Sequence, residues 1–280
     1  MKNEIRGTQE QSLSRRQVLK GTSALAAGVA LTSLAGLVKP AAATGGKTEK
    51  WPWPYLKLDP AETAEIAYKE WDRVFCGAAV INSVFSQLRE KIGEPYTSFP
   101  SDAFVFLEGG QVGWGTICGS LAGASIVANV ILGPRIDDSI LGPRIDDSIV
   151  GHQIAEDIMQ WYTTAELPLY QPKVPKIKTK LPATISHSPL CHLSVGRWMK
   201  TANKSLGSPE RKDRCARVAA STAYKLVELL NQWKAGEYAS ESEFSCGKTF
   251  GIPGPKNCTN CHREKIPVAP KMPTKAQGGF

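Results

Sequence analysis

Only four histidines occur in the 280 residues, and no stretch of useful length alternates apolar with polar side chains. The missing period-two pattern excludes a β-sandwich or barrel. It leaves a mainly α fold with long irregular loops and a loop-rich C-terminal tail. Nor does any apolar run promise a stable membrane span: the run at 24–38 is short and broken by Gly28 and Gly36. A nucleic-acid stripe is missing too. Lys and Arg outnumber Asp and Glu by 34 to 26, yet basic residues gather only at 173–180 and 211–217, with acids interspersed elsewhere. Solvated faces account for these clusters; a sharper reading is electrostatic steering toward an acidic redox partner.

What is present begins with an address. Ser14-Arg15-Arg16-Gln17-Val18-Leu19-Lys20 is a twin-arginine pattern, the apolar stretch follows it, and Ala41-Ala42-Ala43 supplies the small residues a signal peptidase needs. Removing residues 1–43 takes six basic and two acidic residues away, so the formal charge falls from +8 to +4. The remaining length, about 237 residues, suffices for one sizeable core. Twin-arginine export carries folded proteins, often with a cofactor inserted beforehand. Haem c is attached outside the cytoplasm and does not demand this route, so a second centre would explain it. The expected location is the periplasm.

Residues 258–262 read Cys258-Thr259-Asn260-Cys261-His262. This is the spacing at which two thiols form thioethers to haem vinyl groups and the adjacent histidine becomes the proximal iron ligand. The bland alternative is a disulfide loop that precedes a histidine. With His262 proximal, a distal ligand must be His152, His187, His192 or Met199, or be absent. His187 and His192 flank Cys191 in an expected loop and are the best candidates. Two axial histidines would close the iron to exogenous ligands and favour electron transfer.

Seven cysteines occur: Cys76, Cys118, Cys191, Cys215, Cys246, Cys258 and Cys261. If haem uses two, five remain, an odd number that cannot pair completely as disulfides. Several lie in apolar, helical-looking segments, where they are either small buried hydrophobes or ligands to zinc or an iron–sulfur cluster. Beside a haem, iron–sulfur is the more coherent of the metal readings.

Along the chain, Trp51-Pro52-Trp53-Pro54-Tyr55 forms an extended aromatic arm that must bury its rings, on a second subunit for example. Apolar spacing predicts helices over 61–92, with Cys76 and Gly77 inside, over 109–132, over 151–166, through Trp198 and Met199, and over 208–234 with a Ser208-Pro209 start. The glycines of 109–123 suggest close approach to another helix or a cofactor. A Pro/Lys-rich linker covers 167–182. Residues 131–139 and 140–148 repeat the nonapeptide ILGPRIDDS, a local duplication that lengthens a loop or adds a turn. The organisation expected is a leader over 1–43, a helical domain with a cysteine site over 44–235, and a haem-binding segment over 236–280.

The 51–60 arm, the 112–124 glycine/cysteine stretch, the 186–198 stretch, Arg214-Cys215-Ala216-Arg217 and the terminal CxxCH together resemble the split-Soret cytochrome c family and the wider family of redox-active proteins with scattered cysteines. The resemblance implies a helical homodimer with haems stacked face to face, bis-histidine ligation partly supplied across the interface, and an additional iron–sulfur centre, [2Fe–2S] being one form. By matching segment it assigns Cys118, Cys191 and Cys215 to that centre with Cys76 as the fourth, and His192 or His187 to the distal haem position. The chain departs from the family in carrying one CxxCH: Ser188 stands where the Ser188-Pro189-Leu190-Cys191-His192 stretch would need a first cysteine. One covalent haem per chain is therefore expected, and a stacked pair would need the dimer.

The leading expectation is an exported electron-transfer protein with haem c and an iron–sulfur centre, serving other periplasmic redox proteins. The alternatives are a periplasmic oxidoreductase with an open haem or cluster iron, and a structural or sensory protein with degenerate redox sites.

Overall fold

The structure is a computed structural model that describes residues 50–133 and 148–240. The leader, most of the duplicated nonapeptide, Cys246 and the CxxCH motif lie outside the described residues. All the described residues belong to one compact unit.

Helix α1 spans Pro60–Ile92, and the reason is visible at both ends. Asp59 caps the first turn by accepting from the Ala61 and Glu62 N–H groups, Pro60 needs no hydrogen bond there, and Gly93 at φ 85° ends the helix. Its middle is not continuous. Phe75 stands at φ 57° and ψ −160°, so α1 is two helices meeting at a kink immediately before Cys76. An aromatic residue in that region is strained by about 1–3 kcal/mol. The sequence pattern ran straight through this break because the apolar spacing resumes in phase beyond it.

Helix α2 spans Gly119–Leu132. The expected start near 109 is incorrect. Gly109, Gly110, Gln111, Val112, Gly113 and Gly115 all have φ between 45° and 80°, a conformation no right-handed helix contains. They form an irregular loop that returns on itself through Gly115 N–H to Gly109 O and Thr116 N–H to Gly110 O. Helix α3 spans Ser148–Thr164, and the two-residue strands β1 (Glu166–Leu167) and β2 (Thr184–Ile185) pair antiparallel, Glu166 opposite Ile185. Helix α4 spans Cys191–Ala202, so Cys191 and His192 open a helix instead of lying in a loop. Helix α5 spans Pro209–Ala235, capped by Ser208 on the Arg211 N–H, as the Ser-Pro start predicted.

Helix α5 packs along α1, and α2 lies between α1 and α3 while touching α5. Ala216, Ala219, Ala220, Ala223, Leu226, Val227 and Leu230 form the buried stripe of α5. Its alanines let the two helix backbones approach closely, and Val80, Val84 and Leu88 of α1 are buried in the same core. The close pass of α2 over α1 depends on glycine. A Cβ on Gly123 would stand 2.4 Å from Gly77 O, and one on Gly119 would stand 2.1 Å from Leu107 O.

The aromatic arm buries its rings on its own chain, not on a second subunit. Trp53 meets Tyr96 and Phe99 edge-on, and the Tyr55 hydroxyl donates to Asn231 Oδ1 at 3.0 Å. The Pro/Lys-rich linker is tied down rather than loose. Tyr170 donates to Glu65 Oε2 at 2.6 Å, Lys173 N–H to the same oxygen, and Lys176 N–H to the Tyr68 hydroxyl.

Candidate functional site

The four described cysteines come from four segments and none is in a disulfide. Cys76 follows the kink of α1, Cys118 is the residue before α2, Cys191 is the first residue of α4, and Cys215 sits in the second turn of α5. Backbone pairing clamps two of these entries together. Ile117 and Leu190 form an antiparallel bridge, Cys118 N–H donates to Pro189 O at 2.8 Å, and Cys191 N–H donates to Thr116 O at 2.6 Å. The glycine loop lies directly beneath: a Cβ on Gly110 would stand 2.7 Å from Cys191 Cβ. On the other side, a Cβ on Gly119 would stand 2.9 Å from Cys76 Cβ. The glycines noted in the sequence thus admit close approach of backbone to the cysteines.

Cys76, Cys118 and Cys215 are buried, and Cys191 is half-buried. Burial, then the neighbouring Cys215 and Cys118, push the Cys76 thiol far up, against a small downward pull from the Trp71 indole N–H, which donates to Cys76 Sγ at 3.4 Å. Burial likewise pushes Cys191 up to about 12, helped by Cys118 and Cys215 and opposed by Arg214 and Arg211. The Cys76 and Cys191 thiols therefore each sense the Cys118 and Cys215 sulfurs. Among the described residues, no three His, Cys, Asp or Glu side chains are placed to hold a single metal ion.

Polar residues absent from the sequence-level candidates complete the surroundings. Arg214 is 1 % exposed, its Nη1 points to Cys215 Sγ at 3.9 Å, and its Nη2 donates to Ser194 Oγ at 2.8 Å. The buried Tyr162 hydroxyl donates to the same Ser194 Oγ at 2.8 Å. Burial, then Cys118, push that phenol well above its ordinary range. The signal for Arg214 was present: Arg211, Arg214 and Arg217 recur at helical spacing on a helix whose inward face is otherwise rich in alanine. An arginine adjacent to a cysteine on such a face is poorly placed for solvent.

The histidine candidates are distributed unevenly. His192 is exposed on the first turn of α4, its N–H donating to Gly115 O at 3.0 Å. His187 is half-buried at φ 49° in the loop before α4, its N–H donating to Thr163 O. Both flank Cys191 along the chain, whereas His152 is half-buried on α3. Cys258, Cys261 and His262 lie outside the described residues.

Comparison with known proteins gives the chain its family. The family described as "Putative redox-active protein (C_GCAxxG_C_C)" matches residues 76–229. Its pattern names four cysteines, and the matched span contains four: Cys76, Cys118, Cys191 and Cys215. Split-Soret cytochrome c of Desulfovibrio desulfuricans (strain ATCC 27774) is 31% identical over 281 residues, covering 90% of this chain and 95% of that protein. A solved structure, described as a novel iron centre in the split-Soret cytochrome c from that organism, superposes with a TM-score of 0.64. It is 29% identical and covers 76% of this chain and 91% of that one. A twin-arginine translocation signal matches residues 12–32, so the protein is exported to the periplasm. No helix among the described residues is long and apolar enough to cross a membrane. Its cysteine pattern, its fold and its near full-length similarity together make this chain an exported member of the split-Soret cytochrome c family of redox-active proteins.

Proposed function

We propose that the protein is a periplasmic one-electron carrier with two centres: haem c bound through Cys258, Cys261 and His262, and an iron–sulfur cluster held by Cys76, Cys118, Cys191 and Cys215. The observation that carries the reading is the convergence of four unpaired thiols from four separate segments, three of them beside the buried Arg214. Four thiolates suit iron–sulfur chemistry better than any oxygen-loving cation. Thiolates around one tetrahedral ion, at bonds of about 2.3 Å, would stand within about 4 Å of one another. A looser set fits a centre whose own iron and sulfide atoms fill the middle, with [2Fe–2S] the simplest form. When bound, such a cluster and the haem each accept and release single electrons. The chain's part is to supply thiolates, exclude water from three of them, and orient the partners.

His192, exposed beside Cys191, and His187 are the proposed distal haem ligands; an exposed histidine can serve the haem of a second subunit, which favours a homodimer. The similarity to split-Soret cytochrome c supports this reading. The layout proposed is a leader over 1–43, the cysteine domain over 44–235 and the haem segment over 236–280.

The test is iron per chain with absorption spectra, on protein exported by a host competent in haem c maturation. Iron clearly exceeding covalent haem, lost on Cys118→Ser or Cys215→Ser while haem is retained, is the expected result. Iron equal to haem, unchanged by either substitution, would overturn the cluster. An unaltered low-spin spectrum in His262→Ala would overturn the haem assignment.

A further inference from the structure

Arg214 has no carboxylate. Its guanidinium is 1 % exposed, one amino group is on Ser194, the other points to the Cys215 sulfur, and Nε has no hydrogen-bond partner. One helical turn away, Arg217 shows what this protein does with an ordinary buried cation. Its Nε and Nη2 both donate to Asp213 Oδ2, at 2.9 and 2.8 Å, while Nη1 takes Gln171 Oε1 and Nη2 also takes Ile177 O. A buried charge without a counter-charge is costly, several kcal/mol even after relaxation. Among the described residues, the groups around Arg214 able to carry negative charge are Cys215, Tyr162, Cys118 and Cys191. Tyrosine is held neutral there by burial.

We infer that Arg214 is the fixed counter-charge of the cysteine site: a positioning residue whose buried guanidinium raises the reduction potential of the centre that Cys76, Cys118, Cys191 and Cys215 hold. This rests on the cluster reading above. Thiolates and sulfides outweigh ferric and ferrous charge in such a centre, so it is anionic, and each electron taken from a one-electron donor adds one negative charge. A neighbouring cation favours the reduced form over the oxidised one. Ser194 aims the guanidinium, and the Tyr162 hydroxyl, donating to the same oxygen, holds Ser194 in place.

The experiment is a spectroscopic redox titration of the metal-replete full chain with mediator dyes, comparing wild type with Arg214→Gln, Arg214→Met and Arg214→Lys. Methionine fills the space without an unpaired polar group, so it stands in where the glutamine variant does not fold. The neutral variants should weaken electron binding at the cluster at least tenfold, a fall of about 59 mV for one electron. Lysine should stay nearer wild type. An unchanged cluster potential in the neutral variants, or an equal fall in all three, would overturn the role of the charge. Wild-type protein with no iron beyond its haem would instead overturn the cluster reading, and the proposal with it.

Discussion

Arg217 and Arg214 are buried on the same helix three residues apart, yet they stand in opposite electrostatic situations. Around Arg217 every partner is supplied by the chain: Asp213 from its own helix, Gln171 and the Ile177 carbonyl from the linker. That corner is a finished structural clasp, and it fastens the linker over α1 and α5. Around Arg214 the chain supplies thiols, a shared serine hydroxyl and an unsatisfied Nε. The difference teaches where this fold ends and its chemistry starts. A polar network complete in itself needs nothing more, whereas one that lacks a counter-charge is built to receive an anionic group.

The largest expected break of this contrast is Asp213→Asn. It leaves Arg217 buried without its carboxylate and should cost about 3–5 kcal/mol in denaturant unfolding. Arg214→Met should cost much less in protein stripped of iron, because no pair is lost there. Equal losses at the two positions would erase the distinction. Next, Gly123→Ala forces a methyl within 2.4 Å of the Gly77 carbonyl oxygen and should cost about 1–3 kcal/mol. Because Gly77 adjoins Cys76, that variant should also lose cluster iron, while Asp213→Asn, if folded, keeps it. Tyr170→Phe removes one hydrogen bond to the Glu65 carboxylate and should loosen the clasp by about 1.5 kcal/mol, with no change in either centre's spectrum.

The smallest effect belongs to an exposed ion pair. Arg73 and Asn82 donate to Asp102 and hold its carboxyl down to about 2. The free carboxyl titrates near 3.9. Its folded value is depressed, so its contribution is complete above about pH 4 and is lost as pH falls through about 2. Asp102→Asn should therefore differ from wild type at neutral pH and converge with it at about pH 2 in acid-unfolding curves. The difference should be small and should shrink with salt.

Much of the helical scaffold could be read directly from the residues. Asp59-Pro60 and Ser208-Pro209 announce helix starts through side-chain oxygens and a fixed φ, both local effects. The alanine stripe of α5 is a matter of 3.6-residue spacing and needs no tertiary knowledge. The pattern failed where backbone geometry departs from the period it assumes. Phe75 breaks α1 at a residue that is itself neither glycine nor proline, and residues 109–115 adopt left-handed angles that their apolar spacing does not reveal. Cys191 and His192, read as loop residues, open α4 because the Ile117–Leu190 bridge sets them at its first turn.

The residues alone determined the export signal, the CxxCH spacing and the set of cysteines available, since each is a matter of residue type and short spacing. Only the tertiary structure decided that Cys76, Cys118, Cys191 and Cys215, separated by up to 139 positions, come into one neighbourhood, and that Arg214 beside Cys215 has no carboxylate partner. The physical reason is that spacing constrains neighbours along a helix. Convergence of four segments, and the charge balance at their meeting point, exist only once the helices have packed.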